Sequence, residues 1–262
     1  MIACNKVKIE SWCADKPRLG KTFAVVFPHS DDFSIFSCGL IQKLIEEGAT
    51  GYFIRVTNDE MDSFDLTAGE TVFRIEQETY EIANYWGVKK VFDLNYKNHY
   101  LDHTLLTEIR HRLITLFHYL KVDTVVSFDP WGHYEENPDH YITGMAVEQA
   151  CWMAGRNLDL PELTYMGIHP HFVKEKYYIA RGPQLTNLII DIYDVYEKKL
   201  QAICMHKTPI DNMWREHIKQ NNGQAKYSCV REYVKEEFLD NAPEICGLKY
   251  YEKFHYITDT AF

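Results

Sequence analysis

No apolar run in this 262-residue sequence approaches the ~20 residues that a membrane-spanning helix needs, so a helical membrane anchor is not expected. The opening Met-Ile-Ala-Cys-Asn-Lys-Val-Lys also lacks the apolar centre of a secretory signal. Basic side chains are scarce: 28 Lys and Arg stand against 38 Asp and Glu, leaving −10 with His neutral. That balance excludes a surface built to wrap nucleic-acid phosphates. The seven cysteines show no C-x-x-C spacing and are odd in number, which points to reduced thiols and a cytoplasmic chain. Cys38, Cys151 and Cys204 fall inside apolar helical patterns and read as small hydrophobes. Neither an internal repeat nor a Pro- or Gly-rich linker divides the chain. We therefore expect one domain over 1–262, with its core at about 20–205 and a helical extension at 206–262.

What is present is alternation. Phe23–Phe27, Tyr52–Val56, Lys90–Leu94 and Asp123–Phe128 read as short buried strands, and each is followed by a segment with apolar residues at helical spacing. Tyr177–Ala180 reads as a later strand, Val195–Met205 as a helix, and Trp214–Leu239 as polar and helical. Continuous apolar strands alternating with helices predict an α/β fold, a mostly parallel sheet with helices on both faces. The loops after its strands then share one edge, where open α/β sheets bind ligands.

Two stretches at that edge carry chemistry. Thr22-Phe-Ala-Val-Val-Phe-Pro-His-Ser-Asp-Asp-Phe33 runs from a buried strand straight into His29, Asp31 and Asp32. Phe128-Asp-Pro-Trp-Gly-His-Tyr-Glu-Glu-Asn-Pro-Asp-His140 does the same, with Asn137 and Pro138 as a helix N-cap and first position. Catalytic zinc takes about three His, Asp or Glu ligands and leaves one position open. His29, Asp32 and His140 supply such a set, and the adjacent Asp31 is free to take a proton. The plain alternative is that Ser30 and Asp31 cap a helix and the histidines are ordinary satisfied polar groups.

Pro28-His-Ser-Asp-Asp32 resembles the (A/P)-H-P-D-D signature of the LmbE-like/PIG-L zinc-dependent N-deacetylases. Asn137-Pro-Asp-His140 resembles their H-P-D-H signature, and Lys198–His206 is more weakly similar to a late family helix. The resemblance runs from about Lys21 to Met153. It implies a Rossmann-like fold and zinc, or another divalent metal, held by His29, Asp32 and His140. It also implies removal of an N-acetyl group from an amino sugar or its conjugate, with Asp31 as general base and then acid. Three departures stand out. Ser30 replaces a proline, Phe33 stands where Glu is common, and Asn137 takes the place of a His that helps stabilise the oxyanion. Those departures keep open a metal-binding but catalytically weak relative. A nucleotide- or sugar-binding transferase is the other alternative, but it calls for a Gly-rich loop after the first strand where this chain has two carboxylates.

Further candidates carry two readings each. Arg74 is a substrate-binding cation or a solvated helical charge, and Asn58 with Asp59 contacts sugar hydroxyls or makes a turn. His133 or His103 substitutes for the histidine missing at 137 if its loop turns inward. Arg181 recognises an anionic group or closes a turn. The expected partner is a small N-acetylated sugar, with self-association possible and neither nucleic acid nor membrane involved.

Overall fold

The computed structural model describes residues 6–10, 18, 20–132 and 134–258. Five strands form where the apolar runs place them, within one or two residues at each end: β2 (Thr22–Phe27), β3 (Thr50–Thr57), β4 (Lys90–Tyr96), β5 (Thr124–Phe128) and β6 (Glu175–Ile179). Three more had no expectation: β1 (Lys8–Glu10), β7 (Leu188–Asp191) and β8 (Tyr251–Thr258). All eight join in one sheet, in the order β1-β7-β8-β6-β5-β2-β3-β4.

The helices are α1 (Asp32–Glu46), α2 (Ala68–Trp86), α3 (Leu106–Leu120), α4 (Pro138–Met153), α5 (Pro161–Tyr165), α6 (Tyr196–Met205), α7 (Lys207–Gln220) and α8 (Val230–Lys235). The period-two geometry of β2 explains the layering. Phe23, Val25 and Phe27 enter a core shared with α1, α2 and α6, while Ala24 and Val26 enter the opposite core with α3 and α4. A third apolar cluster joins α6, α7 and α8 through Leu200, Ile203, Ile210 and Tyr233.

The sheet, expected to be mostly parallel, is mixed. β2 pairs in parallel with β3 and β5, and β5 with β6, but β8 runs antiparallel to both β6 and β7. This also alters the expected helical extension at 206–262. Helical backbone fills Lys207–Gln220 and, with a π-helical turn, Val230–Asp240, after which the chain returns to the sheet as β8. Its anchor is Glu252, a buried carboxylate that accepts hydrogen bonds from Lys199 Nζ at 2.8 Å and from the backbone N–H groups of Gly39 and Leu40, both at 2.9 Å. Gly39 allows that approach: a Cβ there would lie 2.2 Å from Ile192 Cγ2 and 3.1 Å from the Glu252 carboxyl carbon.

Cys38, Cys151, Cys204 and Cys229 are free thiols, the first two buried in the cores, but Cys246 is disulfide-bonded, so the thiols are not uniformly reduced as expected. Among the described residues no helix is long and apolar enough to cross a membrane.

The chain leaves β2 toward β3 and β4 on one side, then returns to β5 on the other. This reversal makes the carboxyl ends of β2 and β5 a topological switch point, the place where open α/β sheets form ligand crevices.

Candidate metal centre

His29 follows β2, and His140 lies in the first turn of α4 after β5; 111 positions apart in sequence, they meet at the switch point. Pro138 opens α4, and the Asn137 side chain accepts the Asp139 N–H at 3.0 Å, which fixes the turn that presents His140. One face of the His140 ring is stacked on Phe128, with centroids 3.9 Å apart.

The ring centroids of His29 and His140 are 5.2 Å apart. His29 Nδ1 and His140 Nε2 approach to 3.3 Å. Asp32 completes the set, with Oδ2 3.3 Å from His29 Nδ1 and Oδ1 3.6 Å from His140 Nε2. All three residues are buried, and their ligand atoms lie within 4.8 Å of one another. Two ligands bound ~2.0–2.1 Å from a tetrahedral zinc sit roughly 3.3 Å apart, so the spacing suits that coordination.

The charge balance also fits a cation. Asp31, Asp32, Asp59 and Asp139 are all buried around the cluster, and Arg55 is the buried guanidinium beside it. Burial, together with the fields of Asp32 and Asp62, pushes the Asp31 carboxyl well above its usual range. Burial works against charge on Asp32 too, but His140 and His29 outweigh it and hold that carboxyl low. For His29 burial opposes protonation, and hydrogen bonds to Asp139 and Asp32 override it, raising the imidazole well above 6.5. Asp62, mainly through burial, is pushed up to about 7. A pocket whose field favours positive charge this strongly is matched to a divalent ion.

Asp31 occupies the N-cap position of α1, yet its side chain makes no capping hydrogen bond. The capping role anticipated for it is thus left unused and its carboxylate is free. Phe33 stacks on Phe53, with centroids 4.1 Å apart, and so belongs to the core rather than to the ligand network.

The remaining sequence candidates divide. Asn137 is at the site, but its Oδ1 is engaged as the cap. Arg181 Nε lies 3.6 Å from Glu135 Oε2, close behind His140. Asn58 makes a turn, bonding Glu60 and the Asn98 backbone. Arg74 is exposed and lines a separate cavity of about 990 Å³ with Lys207, Glu78 and Arg215. His103 is exposed at the end of a 3₁₀ turn, and His133 lies outside the described residues.

Sequence reasoning missed the groups behind the ligands. Asp139 Oδ2 is 3.3 Å from His29 Nε2, and the same carboxylate accepts the backbone N–H groups of His99 and Leu101 at 2.6 and 3.2 Å. Glu135 Oε1 is 3.1 Å from His140 Nδ1, an ion-pair distance without the alignment of a good hydrogen bond. Metal-bound histidines generally have such a partner on the second ring nitrogen. The signal was present in the carboxylates directly before and five residues before His140. His99, whose ring centroid is 6.0 Å from that of His29, was missed as well; its left-handed backbone (φ 58°) is uncommon outside glycine. Asp59, buried against Arg55 at 3.1 Å, accepts the Ser30 N–H at 3.1 Å and so anchors the loop that carries Asp31. An Arg inside the apolar run Tyr52-Phe-Ile-Arg-Val56 was the clue to it.

Fold and cluster together define a class: an α/β protein with two histidines and a carboxylate, spaced for a metal, at the switch point of its sheet. The chain belongs to the PIG-L (LmbE-like) family, whose model, described as GlcNAc-PI de-N-acetylase, matches residues 24–151. It is 30% identical over 207 residues to the diacetylchitobiose deacetylase of Thermococcus kodakarensis, covering 76% of this chain and 75% of that protein. A probable N-acetyl-alpha-D-glucosaminyl L-malate deacetylase 2 of Bacillus anthracis is 28% identical over 202 residues, covering 74% and 85%. In three dimensions the chain resembles the N,N'-diacetylchitobiose deacetylase of Pyrococcus horikoshii in its inhibitor complex. The TM-score is 0.74 at 25% identity, over 91% of this chain and 84% of that one.

Proposed function

We propose that this protein is a zinc-dependent hydrolase that removes the N-acetyl group from an amino sugar or a small conjugate of one. The observation that carries the reading is the buried cluster of His29, Asp32 and His140 with Asp31 spare beside it. The deacetylases among its relatives support the reaction class. His29, Asp32 and His140 would hold the ion, which supplies Lewis acidity toward a water and an amide carbonyl.

The chain's own groups account for the proton traffic. A carboxylate whose affinity for protons is raised by burial and by neighbouring acids is suited to take a proton from the attacking water. The same Asp31 then delivers it to the nitrogen as the C–N bond breaks, leaving the free amine and acetate. In this reading Asn137, whose Oδ1 accepts the Asp139 N–H, offers its amide N–H to the oxygen that gains negative charge. An amide donates without a full charge, which favours as second reading a family member that binds metal and turns over slowly.

The test is incubation of the zinc-loaded protein with N,N'-diacetylchitobiose and with N-acetylglucosamine conjugates, following acetate and free amine. Stoichiometric release of both supports the proposal. Metal binding with no release across a broad panel favours the second reading.

A further inference from the structure

We propose that Glu135 and Arg181 act together as positioning residues for the metal ligand His140, an inference that rests on the metal-centre reading above. Glu135 sits in the loop between β5 and α4 with its side chain 5% exposed. Its Oε1 is 3.1 Å from His140 Nδ1 and also accepts the Asn137 N–H at 3.3 Å. One oxygen therefore lies at ion-pair distance from the ligand ring while hydrogen-bonded to the backbone at the start of that ring's own helix. The other oxygen faces Arg181 Nε at 3.6 Å. Arg181 follows β6, the sheet neighbour of β5, and its guanidinium also lies over the Phe36 ring at 5.3 Å.

The physical case is one of orientation. His140 turns toward the ion site with Nε2, so Nδ1 must face away into buried surroundings. A carboxylate there selects the tautomer with the proton on Nδ1, leaves Nε2 with its lone pair for a metal, and strengthens that nitrogen as a donor. Phe128 fixes the plane of the ring by stacking, but stacking leaves rotation within the plane free; Glu135 opposes that rotation. Arg181 in turn compensates a carboxylate that would otherwise be largely buried with only partial pairing. This gives Arg181 a different task from direct recognition of a substrate anion.

Equilibrium competition for Zn²⁺ against a chromogenic chelator, and the visible spectrum of the Co²⁺-loaded protein, test the inference. Thermal unfolding of the metal-free forms serves as the control for folding. Glu135→Ala should weaken Zn²⁺ binding by about 10–100-fold and perturb the Co²⁺ spectrum, while Glu135→Gln, which keeps the shape, loses less. Arg181→Ala should weaken Zn²⁺ by a smaller factor, and adding it to Glu135→Ala should cost nothing more. Should the alanine variant at 135 not fold, the glutamine and Arg181 variants carry the test. Wild-type affinity in Glu135→Gln and Arg181→Ala, or an Arg181 effect confined to KM, overturns the inference. A wild-type protein that binds neither metal overturns the metal centre itself, and this inference with it.

Discussion

At the scale of single residues, the chemistry depends on two neighbours, Asp31 and Asp32, doing different things. Adjacent positions at the start of α1 diverge, so Asp32 faces the two imidazoles while Asp31, unused as a cap, keeps an acid whose affinity for protons is raised. Asp31→Asn should therefore keep bound zinc and lose about 10²–10⁴-fold in kcat, checked by metal analysis beside a deacetylation assay. Zinc-replete Asp31→Asn with wild-type turnover would remove the acid-base role. The ligands were legible because His and Asp abut apolar strands, an unusual place for ionisable groups. Glu135, Asp139 and His99 were not. The two carboxylates do lie beside His140 in sequence, but which imidazole each one backs, and that His99 joins them, is decided by how the segments after β4 and β5 cross the cluster.

At the scale of elements, Asn137 holds two candidate jobs that substitution can separate. Asn137→Ala removes the acceptor for the Asp139 N–H and should cost about 1 kcal/mol in unfolding free energy. Asn137→Asp retains the acceptor, so stability should hold while kcat falls with the lost amide donor, by about 10–10³-fold. Equal kcat in the Asp variant and the wild type would leave Asn137 a cap alone.

The junction of α6 and α7 gives a pH signature. His206 is fully buried, with Nε2 2.9 Å from Ser34 Oγ, and burial lowers its pKa from 6.5 to about 3. On acidification the unfolded chain takes up this proton near 6.5 while the folded chain refuses it until about 3. Stability is thus present above 6.5 and lost as pH falls through that window, at up to ~1.4 kcal/mol per unit. Urea unfolding of the metal-free protein at pH 7 and pH 5 should show about 2 kcal/mol less acid loss in His206→Gln than in the wild type. Parallel losses in the two proteins would mean that His206 is not held neutral. Elements with a clean period were readable, β2, β3 and α3 among them. β8 was obscured because Glu252, Lys253 and His255 interrupt its apolar run, and only the packing against α1 and α6 shows why a buried Glu belongs there.

At the scale of the whole molecule, the antiparallel β8 is a late segment that locks the sheet to the helix carrying Asp32. Lys199→Met leaves the Glu252 carboxylate buried without its cation, with two backbone N–H groups and the weak Cys38 thiol as donors, and should cost about 3–5 kcal/mol, measured by chemical unfolding. A loss below about 1 kcal/mol would show that the pair is solvated and the lock weak. The parallel half of the sheet was foreseeable from β-α alternation. Its mixed character was not, since strand direction for β8 is decided by tertiary pairing with β6 and β7 rather than by any local pattern.

All of these scales converge on one ion held between distant segments of the chain, and zinc stoichiometry after loading and desalting tests it most directly. We predict close to one equivalent in the wild-type protein and none retained by His140→Ala, with the variant still folded. Retention of the same equivalent by His140→Ala, or none by the wild type, would contradict the account.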